Sequence, residues 1–167
     1  MRVNVKRIAM LSVMIALAMV MSYIESLIPV FITVPGLKIG LANIVSLVCL
    51  SVFGLGAAFT VSILRICLSS LLFGNAVAFI YSLFGGILSI AVMYGLKRLR
   101  LLSTVGVSVG GAVFHNIGQI IAACIVMGTG AVITYLPPLI LGGAGAGIVI
   151  GICSALLTER VRKVAKL

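Results

Sequence analysis

The sequence is poor in the side chains that catalysis uses. It has no aspartate, two glutamates and one histidine among 167 residues. Without aspartate there is no aspartate-rich metal site for diphosphate chemistry. One histidine and two acids do not make a triad or a metal centre, and no Walker A or G-x-G-x-x-G phosphate loop occurs. The four cysteines lie singly in different apolar runs, which argues against a disulfide or zinc site. We therefore expect no enzyme, no metal and no cofactor.

Charge is also scarce, whereas apolar residues are abundant. Only 8% of the residues are charged, 63% are hydrophobic, and the mean hydropathy is +1.41. A soluble domain of this size could not cover that much apolar surface with polar side chains. The composition predicts an all-α integral membrane protein with a single transmembrane domain over residues 1–167. The lipid bilayer is then its surroundings, and a large soluble domain is excluded.

The apolar runs are separated by short segments rich in proline, glycine and basic residues. Such segments end helices, and one membrane span needs about 20 apolar residues. The pattern predicts a bundle of six transmembrane helices, at residues 8–28, 39–53, 57–73, 76–96, 104–127 and 131–157.

Basic residues mark one side of the predicted bundle. With six spans, ten of the 12 Lys and Arg residues fall on the side that carries both termini, and the exceptions are Lys38 and Arg65. Cytoplasmic segments of membrane proteins are enriched in Lys and Arg. We therefore expect a multi-pass protein with both termini in the cytoplasm, and we interpret the net charge of +10 as a topology signal and not as a nucleic-acid surface.

Arg65 is the most informative polar residue. It falls near the middle of the third predicted span, with Ser62 and Ser69 on the same helical face. An arginine cannot lose its charge, so it needs a carboxylate, a ligand anion or water. The only acid within a span is Glu25, which either pairs with Lys38 or Arg65 or takes part in binding.

Other polar residues fall in the outer halves of the predicted spans, and polar groups within a membrane tend to mark function. Together with Glu25 and Arg65 they predict a pocket reached from outside: Lys38, Asn43, His115, Asn116, Gln119 and Tyr135. Each has a structural alternative. The alternatives are a core histidine bonded to a carbonyl for His115, contacts that join helices for Asn116 and Gln119, and an interface aromatic for Tyr135, which explains that residue better.

Small residues recur at four-residue spacing, which lets helices approach closely in lipid. Gly143, Gly147 and Gly151 form a ridge on the sixth span, and Ser12 and Ala16 form a pair on the first. Packing within the bundle is their usual role, and contact with another subunit is the alternative.

The polar motifs together resemble one family. The most specific are Pro35-Gly36-Leu37-Lys38-Ile39-Gly40-Leu41-Ala42-Asn43 and His115-Asn116-Ile117-Gly118-Gln119. Tyr23 to Ser26, Arg65, Tyr81 to Gly86 and Tyr135 to Pro137 also fit the pattern. They are similar to those of the small bacterial membrane proteins called Gx transporters, also labelled heptaprenyl diphosphate synthase component I.

That family is in turn similar to the substrate-binding S components of energy-coupling factor (ECF) transporters. The resemblance implies six helices and a solute captured at the outer side, under the loop between the first two helices. It also implies that small residues on the first helix contact a transmembrane coupling subunit, which two ATPase subunits drive. Ser12 and Ala16 occupy those positions, with serine in place of the first alanine.

Three functions follow as hypotheses. The leading one is a solute-binding subunit of an ATP-driven uptake system in a bacterial plasma membrane, for a small anionic or amphipathic, isoprenoid- or quinone-related substrate. The second is an accessory or enzymatic subunit of prenyl diphosphate or quinone synthesis. The third is a structural subunit of a membrane redox complex.

Overall fold

The computed structural model describes residues 5–27 and 40–165, and the described residues are helical without strands. It contains six α-helices and one 3₁₀ segment, Gly130–Tyr135, which leads directly into the last helix. The α-helices are α1 (Val5–Leu27), α2 (Asn43–Val52), α3 (Leu55–Phe73), α4 (Ala76–Leu99), α5 (Thr104–Met127) and α6 (Leu136–Ala165).

Five helices are long and apolar enough to cross a membrane: α1, α3, α4, α5 and the last helix with its 3₁₀ lead-in. The chain is therefore a multi-pass membrane protein. The predicted second span, 39–53, is different. Its helix α2 has only ten residues, or about 15 Å of rise, which is about half of a hydrocarbon core. Gly40 and Gly54 flank it with φ of 90° and 89°, and these left-handed conformations interrupt the helix on both sides.

Helix α2 lies at the centre of the bundle. It packs against α1, α3, α4, α5 and α6, and seven of its ten residues are buried. The long helices pack in chain order around it, α3 on α4, α4 on α5 and α5 on α6, while α1 packs on α2 and α3. The ends of this short helix therefore lie inside the protein.

The backbone that leads into α2 meets a carboxylate. Its N-cap residue, Ala42, has no side chain that can cap the helix. Instead Glu25, near the end of α1, accepts hydrogen bonds from the N–H groups of Gly40 and Leu41. A negative charge at the N-terminal end of a helix is favoured by the helix dipole.

The last carbonyls of α2 meet three cations. Arg7 donates to the carbonyl of Phe53 (3.3 Å), Lys97 to that of Leu50 (2.8 Å) and Arg162 to that of Ser51 (3.3 Å). Terminal carbonyls have no partner within their own helix, and unpaired ones are costly in lipid. These cations come from the start of α1 and the ends of α4 and α6, so three basic segments lie together at what we call the basic end of the bundle.

Glycines set the closest helix contacts. A Cβ atom on Gly118 of α5 would lie 2.7 Å from the carbonyl oxygen of Phe84 on α4. On α6, Cβ atoms at Gly147 and Gly151 would lie 2.7 Å from α5 backbone atoms. The predicted glycine ridge of α6 thus packs within the bundle. Ser12 and Ala16 differ, because both are exposed on the surface of α1.

Candidate functional site

The buried polar side chains are divided by chemistry along the bundle. In the half that contains the basic end, they are serine and threonine only: Ser46, Ser89, Ser108, Ser154 and Thr158. Charged, amide and imidazole groups are buried in the middle and in the opposite half: Glu25, Asn43, Arg65, His115, Asn116 and Gln119. Because each of these groups is costly in a membrane, their concentration in one region marks a candidate site.

Glu25 is 2% exposed and its carboxylate is held by backbone. Its Oε1 accepts from the N–H of Gly40 and, at 3.2 Å, from that of Leu41. Two N–H donors and the nearby start of α2 stabilise a negative charge at this position. The main partner of Glu25 is thus the chain that enters α2, an alternative that the sequence did not indicate.

Arg65 is 3% exposed and incompletely bonded. Its Nη1 donates to Ser22 Oγ on α1 at 3.2 Å. Within the described part of the chain, its Nε and Nη2 have no hydrogen-bond partner. Glu25 is close enough to interact with Arg65 through its charge, but it does not bond these two nitrogens. Nε and Nη2 form one edge of the guanidinium fork, which fits a carboxylate or phosphate.

Gly40 joins three of the predicted site residues. Its N–H binds Glu25, and a Cβ on it would lie 2.8 Å from Asn43 Nδ2 and 3.4 Å from His115 Cδ2. Asn43 Nδ2 has no hydrogen-bond partner among the described residues. The structure therefore gathers Glu25, Asn43 and His115 around one glycine, with Arg65 beside Glu25.

His115 packs closely against a second glycine, Gly85. A Cβ on Gly85 of α4 would lie 2.9 Å from His115 Nδ1, so any larger residue there would displace the imidazole. Gln119 is fully buried one helical turn further along α5, on the same face. We call the set of Glu25, Asn43, Arg65, His115 and Gln119 the polar cluster.

Two of the predicted residues do not join the polar cluster, and the placement of a third is not described. Asn116 donates to the carbonyl of Leu139 on α6 at 2.6 Å, which is the helix-joining alternative for this residue. Tyr135 is half-buried against an apolar group that includes Tyr81 and Val132. Lys38 lies outside the described residues.

Several residues that contact the polar cluster could not be predicted from the sequence. Ser22 binds Arg65, yet nothing distinguishes it from other serines in apolar runs. Leu41 contributes only its N–H, which no side-chain pattern reveals. Gly85 belongs to the Tyr81 to Gly86 motif, so it could have been included, but its contact with His115 depends on how α4 and α5 pack.

The polar cluster combines several kinds of hydrogen-bonding group. It offers a guanidinium edge, an amide, an imidazole and one carboxylate already bonded to backbone. Among the described residues, no group of three or more His, Cys, Asp or Glu side chains could hold a metal ion. What the cluster provides is a cationic and hydrogen-bonding surface for an anionic or polar group.

The family model described as heptaprenyl diphosphate synthase component I matches residues 14–157. This match includes helices α2 to α5 completely. It also includes every residue of the polar cluster, of which Glu25 lies on α1. No curated protein and no solved structure matches the chain. The matched segment is most of the sequence, and the chain therefore belongs to the heptaprenyl diphosphate synthase component I family.

Proposed function

We propose that this protein is the solute-binding membrane subunit of an ATP-driven uptake system of the ECF type. Its solute is small and anionic or amphipathic, with isoprenoid- and quinone-related compounds as the first candidates. The protein has six spans, the second of which includes α2, and lies in a bacterial plasma membrane with the basic end and both termini in the cytoplasm.

The observation that carries the proposal is the unfilled edge of Arg65. Two guanidinium nitrogens of a 3% exposed arginine have no hydrogen-bond partner among the described residues. Leaving charged donors unpaired in an apolar interior is expensive. An anionic head group on Nε and Nη2 would satisfy them, and the nearby Asn43 Nδ2 offers a further donor.

Placement within the bundle supports uptake from outside. The polar cluster lies away from the basic end, so a cytoplasmic basic end puts the cluster in the outer half of the membrane. Glu25 and Gly40 bracket the segment between α1 and α2, which in S components covers the solute. Lys38 belongs to that segment, and we propose that it is a second cation for the solute.

Energy must come from partners, because the sequence has no nucleotide-binding motif. Ser12 and Ala16 are exposed on α1, and small exposed residues at this spacing suit contact with another membrane helix. We assign this surface to a transmembrane coupling subunit, which two ATPase subunits would drive.

Native mass spectrometry of the gently purified protein tests the binding role. We expect a solute of defined mass that survives detergent exchange and carries an anionic or polar head. Reconstitution with a coupling subunit and its ATPases should then produce ATP-dependent uptake of that solute. A well-folded protein without any retained or rebound solute would contradict the proposal.

The family description favours a second candidate, an accessory subunit of prenyl diphosphate synthesis. The absence of aspartate makes a catalytic role in magnesium-dependent chain elongation unsuitable for this chain. Adding the purified protein to a prenyl diphosphate synthase, with magnesium and isoprenoid diphosphates, distinguishes the two. A change in product length or rate, with no uptake activity, would favour the accessory role.

A further inference from the structure

A second feature lies at the opposite end of the protein from the polar cluster. A cleft of about 600 Å³ opens at the basic end, between the end of α2, the start of α3 and the end of α4. We call it the basic cleft, and its lining includes Leu50, Leu55, Tyr94, Lys97, Arg98 and Arg100.

The cations of the basic cleft are concentrated and unopposed. Three of its lining residues are basic and none is acidic. The only glutamate near this end, Glu159, lies on α6 outside the lining. Lys97 is held in place by the carbonyl of Leu50 at 2.8 Å, and Arg98 by the hydroxyl of Tyr94 at 3.3 Å. Positive charge therefore lines a concave site, in which Lys97 is half-buried and Arg98 and Arg100 are exposed.

Backbone geometry leaves the floor of the basic cleft open. Gly54, at the start of α3, has no side-chain cap for the helix, and a Cβ on it would meet no atom within 4 Å. Arg100 ends α4 in a left-handed conformation, φ 55°, and its side chain is exposed. A head group has room to enter between the cations.

The surroundings of the basic cleft are apolar. Leu55 is 38% exposed within it, and Phe59, one helical turn further along α3, is 45% exposed. The cleft lies where the apolar part of α4 gives way to basic residues, and Tyr94 is the kind of aromatic found at a membrane interface. A soluble anion would gain nothing from these exposed apolar side chains, whereas a lipid has acyl chains to place on them.

We propose that the basic cleft binds the head group of an anionic phospholipid from the membrane leaflet at this end. The phosphate lies among Lys97, Arg98 and Arg100, and the acyl chains lie along Leu55 and Phe59 of α3 toward the bilayer centre. Basic pockets between transmembrane helices bind anionic lipid head groups in this manner. The lipid would reinforce the end of α2, because Lys97 serves both.

The test uses the full-length protein in detergent, titrated with phosphatidylglycerol or phosphatidylcholine of the same chain length and followed by native mass spectrometry. We expect preferential binding of phosphatidylglycerol. Arg98→Gln with Arg100→Gln should weaken it by about thirty-fold, or roughly fivefold for each charge lost near a membrane surface. Both side chains are exposed, so we expect these variants to fold, which size-exclusion chromatography and thermal unfolding will verify. Each single variant should show an intermediate loss.

A matched control removes two charges from the same end without touching the basic cleft. Arg160→Gln with Lys163→Gln lies on the exposed part of α6 and should bind like the wild type. Equal loss in both double variants, or equal affinity for the two lipids, would overturn the proposal. Tight binding of inorganic phosphate or glycerol phosphate alone would identify a soluble anion and overturn the assignment to a lipid.

Discussion

Arg65→Ala is the most direct perturbation of the proposed solute site. The change removes the unfilled guanidinium edge, together with the hydrogen bond to Ser22. It also removes the positive charge beside Glu25. Arg65→Lys keeps a charge but not the two parallel donors of the guanidinium.

The structure sets the size of the effect. A hydrogen bond to a charged group contributes about 1.5–3 kcal/mol, and Arg65 offers two such bonds to the solute. Their loss corresponds to about 3–6 kcal/mol, or roughly a hundredfold to ten-thousandfold weaker binding. Arg65→Lys should lose about one bond, or roughly tenfold to a hundredfold.

A loss of binding means little unless the variant folds, so Glu25 must be considered. In Arg65→Ala the carboxylate keeps the N–H groups of Gly40 and Leu41 but has no cation beside it. Glu25→Gln retains an oxygen that accepts from the same N–H groups and removes the uncompensated charge. We therefore expect the combination of Arg65→Ala and Glu25→Gln to fold better than Arg65→Ala alone.

The assay compares the affinity of each variant for the solute that the wild-type protein retains, identified by its mass. Size-exclusion chromatography and thermal unfolding report the fold. Ser69→Ala, a buried position on the same face of α3, is the control and should bind normally. If the folded double variant binds with full affinity, Arg65 has no role in the solute site and serves only as a charge partner of Glu25.

Three further predictions concern other parts of the molecule. In a background without native cysteines, Leu101→Cys should resist membrane-impermeant labelling from outside intact cells, and ready labelling would reverse the orientation. Ala16→Trp should leave solute binding intact but abolish transport, because a bulky side chain separates two helices; unchanged transport would place the coupling contact elsewhere. Gly118→Ala should lower the free energy of unfolding by about 1–3 kcal/mol, whereas Gly145→Ala, with no atom within 4 Å of its added Cβ, should not.

The long helices could be predicted from the sequence, because each is an apolar run that ends at glycine, proline or basic residues. The prediction was wrong about the length of α2. Its C-terminal end differs from the predicted one by a single residue, whereas the helix begins only at Asn43, because the backbone at Gly40 is left-handed and residues 40–42 lie outside the helix. Hydropathy measures composition and does not determine backbone dihedrals.

The site could be predicted in its residue types more than in its contacts. The sequence predicts Glu25, Arg65 and His115 as site residues because charged and polar groups are costly in lipid. Their partners could not be predicted, since Glu25 binds backbone N–H groups and Arg65 binds an ordinary serine. Adjacent residues His115 and Asn116 also face different neighbours, α4 and α6, as the roughly 100° turn between successive helical residues requires.

The short helix α2 connects the polar cluster with the basic end of the bundle. The segment that enters it donates hydrogen bonds to the carboxylate of Glu25. The carbonyls at its C-terminal end accept hydrogen bonds from Arg7, Lys97 and Arg162. These two sets of hydrogen bonds are separated by about 15 Å of helix. Under the proposed uptake function, we expect a solute that moves Glu25 to shift the segment that enters α2, and the helix would carry that shift about 15 Å to the three cations at its other end.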